Sequence, residues 1–186
     1  KLDIRQVCEE TFAYFIQQAR SKNIQYEFNC PEQLPLLYGD REKLQIVFYN
    51  LLSNALKYTP AHGHISFRII EEGEKVLAEV ADSGPGIPAE TGSRLFEKFY
   101  QVNKKEAKAK AGFGIGLYLV KQLVDEHKGE IWYDSTPGKG TRFFMALKTG
   151  YQHFGDIPVG ETSGESEHEL LDEIIAARKA KAIEYE

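Results

Sequence analysis

No stretch of this 186-residue chain approaches the roughly 20 apolar residues that a helix needs to cross a bilayer, and no secretory leader opens it. Contact of this segment with a membrane is therefore not expected. Cysteine is scarce. Cys8 and Cys30 have neither the spacing of a metal site nor the number for a disulfide framework, so we expect two idle or buried thiols in a reducing compartment. Basic charge is not in excess: 23 Lys and Arg stand against 28 Asp and Glu, which excludes the cationic footprint of a nucleic-acid binder. A G-x-x-x-x-G-K-[ST] run is missing, so any nucleotide site here is built without a P-loop. Methionine is missing from the first position, which is Lys1, and we expect the chain to be part of a longer protein.

What is present is an ordinary globular composition, 42% hydrophobic and 27% charged, with enough apolar residues for a real core. The charge is unevenly placed. From Tyr151 onward there are nine acids and three bases, and the preceding body is almost neutral. We divide the chain into a domain over 1–149 and an acidic linker over 150–186. In the latter, the capping box Ser166-Glu-His-Glu169 precedes a possible amphipathic helix carrying Leu170, Leu171, Ile174 and Ile175.

Apolar periodicity places the elements. Leu2 to Val7 reads as a short strand, Val7 to Lys22 as a helix, and Ile24 to Phe28 as a strand. Asp40 is a good N-cap for a helix with Leu44, Val47, Phe48, Leu51 and Ala55 inward, ended by Pro60 and Gly63. Ile65 to Ile70 and Val76 to Ala81 form a hairpin around Glu72-Gly73. A short helix is expected at Leu95 to Phe99 and a longer one at Ile115 to His127. Strands at Glu130 to Asp134 and Thr141 to Leu147 close the domain. Hairpins outnumber βαβ units. The fold class is thus α+β, a two-layer sandwich of a mixed, largely antiparallel sheet with helices on one face.

Four separated segments carry the chemistry. They are Asn50-Leu-Leu-Ser-Asn54-Ala-Leu-Lys57-Tyr58, Asp82-Ser-Gly84-Pro-Gly86-Ile87, Gly112-Phe113-Gly114-Ile115-Gly116-Leu117 and Gly138-Lys-Gly140-Thr141. Asn50, Asn54 and Lys57 lie at i, i+4 and i+7 and share a helix face, which we expect to be separate from the apolar stripe. Amide oxygens suit Mg²⁺, which keeps waters and bridges phosphates, and a lysine one turn on can meet phosphate. A solvated helix face would look the same in isolation. Asp82 stands at a strand end, where a carboxylate can accept a hydrogen bond from the exocyclic amine of adenine. The glycines after it let backbone approach a ligand, although the segment is also good turn chemistry. The run Gly112 to Gly116 opens a helix, whose first N–H groups attract anions. In order, these segments supply a metal ligand, a base reader, a phosphate cradle and a pocket wall.

Gly84 to Ala89 has the spacing of a dinucleotide fingerprint, but Pro85 and Pro88 interrupt the helix it must open, so that reading is rejected. Pro88 to Gly112 is a long, weakly patterned segment of the sort that forms lids. It holds Lys98, Lys104, Lys105, Lys108 and Lys110, which either face solvent or meet phosphate on closure.

On these residues the chain resembles the catalytic, ATP-binding domain of bacterial sensor histidine kinases, within the superfamily that includes gyrase, heat-shock chaperones and mismatch-repair ATPases. Asn50 to Tyr58 is similar to the family's N box, Asp82 to Ile87 to its G1 box and Phe96-Glu-Lys-Phe99 to its F box. Gly112 to Leu117 is similar to its G2 box, and Gly138 to Thr141 to its last glycine box. The resemblance covers about residues 1 to 148. It implies a Bergerat fold, with ATP and Mg²⁺ as ligands, Asn54 on the metal and Asn50 assisting. It implies Lys57 on phosphate, Tyr58 flanking adenine, Asp82 reading its amino group, and Gly84, Gly86, Ile87, Phe113, Ile115, Leu117 and Thr141 lining the site. It further implies a dimerisation and phosphoacceptor domain and a response-regulator receiver domain, possibly fused, as partners, and a place in the cytoplasmic portion of a membrane-anchored sensor.

The resemblance also sets hydrolysis against transfer. The superfamily's hydrolases carry a water-activating glutamate one turn before the Mg²⁺ asparagine. Here that position is Asn50, which cannot act as a base, so phosphoryl transfer is favoured. A plain nucleotide-binding module and a protein-serine kinase of the same fold remain the alternatives. None of His62, His64, His127 and His153 is set in the family's acceptor motif. His168-Glu169-Leu170 only begins like it, so the acceptor histidine is expected on a separate domain.

Overall fold

The computed structural model describes residues 1–102 and 114–155. A five-stranded sheet organises them, in the order β1-β2-β3-β5-β4. The strands are β1 (Gln25–Asn29), β2 (His64–Glu72), β3 (Lys75–Asp82), β4 (Glu130–Thr136) and β5 (Gly140–Lys148). β1 runs parallel to β2 and every other pairing is antiparallel, so the sheet is mixed and largely antiparallel, as expected. The parallel pair is joined through helix α3 (Arg41–Tyr58), as a crossover requires.

Period-two burial sorts the sheet's faces. Ile65, Phe67 and Ile69 of β2, Val76, Ala78 and Val80 of β3, and Phe143, Met145 and Leu147 of β5 enter one core with the helices. From α3 come Leu44, Val47, Phe48, Leu51, Leu52, Ala55 and Leu56. From α4 (Gly116–Glu126) come Val120, Leu123 and Val124. The other face is polar and aromatic: Arg68 grips buried Glu79 through two bonds of 2.7 and 2.9 Å, and Trp132 stacks on Phe144.

Three expectations need correction. Leu2 to Val7 is not a strand. The Asp3 side chain accepts from the N–H groups of Arg5 and Gln6 and so starts α1 (Ile4–Tyr14), leaving only a Leu2–Leu37 bridge. The helix drawn to Lys22 is two, since the chain breaks at buried Phe15 before α2 (Ile16–Ser21). The helical turns near Phe96 lie earlier and are 3₁₀ in type, over Ala89–Phe96, with a kink at Gly92. Phe99 adopts φ +66 and cannot continue a helix. The linker drawn from Gly150 begins with a 3₁₀ turn, Gln152–Phe154, and the helix expected after Ser166 lies outside the described residues. No described helix is long and apolar enough to cross a membrane.

Candidate functional site

The site is assembled at one end of α3, α4 and the central strands. Asp40 caps α3 by accepting from the N–H groups of Glu42 and Lys43. The helix then runs unbroken to Tyr58, which delivers Asn50, Asn54, Lys57 and Tyr58 in helical register. The polar face is not fully separate from the core. Asn50 is only 2% exposed, and its amide nitrogen donates to the Ile46 carbonyl at 2.8 Å. With the nitrogen so committed, the group Asn50 can offer a cation is its oxygen. Asn54 and Lys57 are half-buried, and Tyr58 is exposed with the Lys57 ammonium 5.0 Å from its ring centre.

Asp82 is the last residue of β3, paired with Ile65 on one side and Thr141 on the other. Its carboxylate accepts the Gly84 N–H at 2.8 Å and a backbone bond from Thr141. Burial pushes its carboxyl above the ordinary range, and these two bonds pull the other way. The approach of backbone around it is close. A Cβ on Gly84 would lie 2.7 Å from Asp82 Oδ1 and 3.2 Å from the Tyr58 carbonyl. At Gly140, with φ +98, a Cβ would lie 1.9 Å from the Asp82 carbonyl, so neither position admits a side chain.

The turn after Asp82 and the last glycine turn are joined. Gly138 N–H donates to the Pro85 carbonyl at 2.7 Å, and Ile87 N–H donates to Ser135 Oγ at 2.8 Å. Ser135 donates in turn to the Gly140 carbonyl and lies 2.9 Å from the Thr141 hydroxyl. Ser135 had no signal in the sequence. It became visible only once β4 and β5 were paired. Ile87 and Leu117 pack against the core, and Thr141 is buried. A cavity of about 370 Å³ has Asp82, Ser83, Ser135, Gly140 and Thr141 in its wall, and His64, Asp134, Lys139 and Arg142 among its other lining residues. It does not take in Asn50 or Asn54.

The glycine run leads into α4. Ile115 precedes Gly116, the first helical residue, and no side chain caps that end among the described residues. Its N–H groups are therefore the kind that receive an anion. Gly114 accepts from Phe99 N–H at 2.9 Å, which ties this segment to the Phe96–Phe99 segment. Phe96 meets Tyr133 of the core, whereas Phe99 is 63% exposed. Gly112 and Phe113 lie outside the described residues, as do Lys104, Lys105, Lys108, Lys110 and His168. Lys98 stands 5.2 Å from the Phe99 ring centre. His127 is buried in the structure and His62 sits in a turn at φ +64.

No group of three or more His, Cys, Asp or Glu that could cage a metal occurs among the described residues. The donors present, the amides of Asn50 and Asn54 on α3, fit Mg²⁺ shared with phosphate oxygens rather than a protein-only metal centre.

Residues 39–150 match the family model described as histidine kinase-, DNA gyrase B-, and HSP90-like ATPase. The adaptive-response sensory kinase SasA of Thermosynechococcus vestitus is 39% identical over 148 residues. The match takes in 79% of this chain but only 38% of that relative's length. The catalytic domain of the histidine kinase ThkA superposes with a TM-score of 0.70 at 26% identity, over 80% of this chain and 93% of that one. ThkA solved in complex with the response regulator protein TrrA gives a TM-score of 0.67 at 25% identity, over 80% of this chain and 41% of that one.

Proposed function

From the premise that this chain belongs to the family of histidine kinase-, DNA gyrase B- and HSP90-like ATPases, as an ATP-binding catalytic domain of the sensor histidine kinase kind, we propose that it transfers the γ-phosphate of Mg-ATP to a histidine on a separate dimerisation domain. Asp82 accepts the adenine amine, and Tyr58 flanks the ring. Lys57 and the start of α4, with the glycine run that opens it, receive the phosphates. Asn54, assisted by Asn50, holds Mg²⁺, which neutralises phosphate charge when bound. The domain spans residues 1–149, and the acidic segment 150–186 lies outside it.

The observation that carries transfer over hydrolysis is Asn50. It is an amide, buried and bonded to Ile46, at the position where the family's hydrolases activate water with a glutamate. Phosphoryl transfer needs positioning and charge neutralisation more than a base on this domain. The SasA-like sequence and the ThkA–TrrA complex support a response-regulator receiver domain as the downstream partner.

The test is transfer in trans. The chain is incubated with γ-labelled ATP and Mg²⁺, with and without a separately made dimeric acceptor domain of the parent protein. Acid-labile label on that domain's histidine, with little ATP consumed in its absence, is the expected result. Equal ATP consumption in both arms identifies a hydrolase and refutes the reading.

A further inference from the structure

The end of α3 that carries Lys57 and Tyr58 needs partners for its last carbonyls, because a helix leaves four of them unmet. Its own cap is poor. Thr59 is extended at φ −71, ψ 126, and it contributes only a backbone bond back to Ala55. The missing partner comes from another element. Lys22, which follows α2, reaches in and donates its ammonium to the carbonyls of both Leu56 and Thr59, the latter at 3.0 Å. These two carbonyls bracket Lys57 and Tyr58. An ammonium at a helix C-terminus also meets the negative end of the helix dipole.

The backbone of the same residue holds the next turn. The Lys22 carbonyl accepts from His62 N–H, and Gln25 N–H, three residues on, donates to the Gly63 carbonyl. Gly63 is in turn wedged: a Cβ there would lie 2.3 Å from Thr59 Cγ2 and 2.9 Å from Ser83 Oγ. Ser83 is bound on both sides of its backbone position, since its hydroxyl accepts from His64 N–H and its N–H donates to the His64 carbonyl. Ser83 is the residue after Asp82, and Gly84 beyond it lies against the Tyr58 carbonyl. A continuous set of contacts thus leads from the Lys22 ammonium, through the end of α3 and the turn 59–63, to the carboxylate that faces the base.

We propose that Lys22 is a positioning residue for the adenine end of the nucleotide site, setting Tyr58 and the Asp82 turn at their working separation. It touches neither base nor phosphate. The inference rests on the nucleotide-binding reading above. It assigns Lys22 to the base side of the site, so its effect does not pass through the metal.

The test measures binding to the full chain by calorimetry in two conditions, Mg²⁺ with a non-hydrolysable ATP analogue and ADP in chelator. K22M removes the ammonium and keeps the stem; K22R keeps the charge and the donors. Temperatures are set well below each variant's unfolding midpoint. K22M is expected to bind about tenfold more weakly, by the same factor in both conditions, with K22R within about threefold of the parent chain. Faster amide exchange at Tyr58 and Thr59 in K22M accompanies the loss. If K22M does not fold, K22Q, which keeps an uncharged donor, carries the same comparison. Unchanged affinity in K22M, or a loss confined to the Mg²⁺ condition, overturns the proposal. Failure of the parent chain to bind adenine nucleotide at all refutes the nucleotide reading instead, so the two failures are distinguishable.

Discussion

His127 Nε2 accepts the backbone N–H of Asp40 at 3.0 Å, while its Nδ1 donates to the Leu123 carbonyl at 2.7 Å. One imidazole therefore joins the C-terminus of α4 to the cap of α3, and the Lys43–Glu126 ion pair lies beside it. The start of one helix meets the end of the other, so the two pack antiparallel. The N-terminus of α4 therefore points along α3 towards the half that carries Asn54 and Lys57.

Truncating that imidazole should be severe for stability. His127→Ala leaves a cavity and an unmet N–H at Asp40, a combined loss of about 2–4 kcal/mol. Gly39→Ala should also destabilise, because its Cβ would stand 2.7 Å from His127 Cδ2. Denaturant unfolding monitored by circular dichroism checks both. Parent-like midpoints in both variants would show that the clamp carries no weight.

Asp82→Asn should act in opposite directions on stability and binding. Burial raises the Asp82 carboxyl above its ordinary value of 3.8, so holding it ionised in the fold opposes stability at neutral pH. A raised folded value means a contribution that is fully present below the unfolded value and is lost as pH rises through the folded one. The amide, which can still accept from Gly84, should therefore raise the unfolding midpoint of the nucleotide-free chain near pH 7. The gain should vanish towards and below about pH 3.8, where the carboxyl is protonated in both states. The same substitution should weaken ATP binding by about 1.5–3 kcal/mol, the worth of a charged hydrogen bond. Thermal scans from pH 3 to 8, together with calorimetric titration, read both effects. A midpoint lowered at pH 7, or undiminished ATP affinity, contradicts the assignment.

Asn54→Ala separates metal from nucleotide. It should lose affinity for Mg-ATP while largely sparing ADP measured in chelator, as the proposed role on the ion requires. Equal weakening in both conditions would make Asn54 a structural residue.

The sequence was most legible where one residue's local chemistry decides the outcome. Asp40 announced α3, the stripe of Leu44, Val47, Phe48, Leu51 and Ala55 announced its buried face, and Glu72-Gly73 announced the hairpin. The order of the glycine segments pointed to the family. What stayed hidden depends on contacts distant in sequence. Lys22 reads as one more surface lysine until α2 is laid against the end of α3, 34 to 37 residues away. His127 read as a helix-end signal, and its partner Asp40 is 87 residues away. Asn50 was placed on a polar face because helical spacing gives direction but not depth, and depth comes from the packing of α3 against the sheet. Asp3 was missed because Leu2, Ile4 and Val7 suggested a strand, whereas a short acid at a helix start outweighs so brief a pattern.

Ser135 offers the sharpest test of how the two turns around the base are held. Its hydroxyl accepts from Ile87 N–H, donates to the Gly140 carbonyl and meets the Thr141 hydroxyl, so one small group serves both sides of the pocket. Ser135→Ala deletes three bonds and leaves a partly buried N–H and carbonyl unmet, which should cost about 1–3 kcal/mol of stability. Loosening the turn after Asp82 should also weaken ADP in chelator and Mg-ATP alike, because the proposed metal ligands Asn50 and Asn54 lie on α3 and not on these turns. Ser135→Thr keeps the hydroxyl and should retain most of the affinity. Calorimetry on the three chains decides the matter. A Ser135→Ala chain that binds as the parent does would show that Gly138 N–H on the Pro85 carbonyl is enough to hold the turns together.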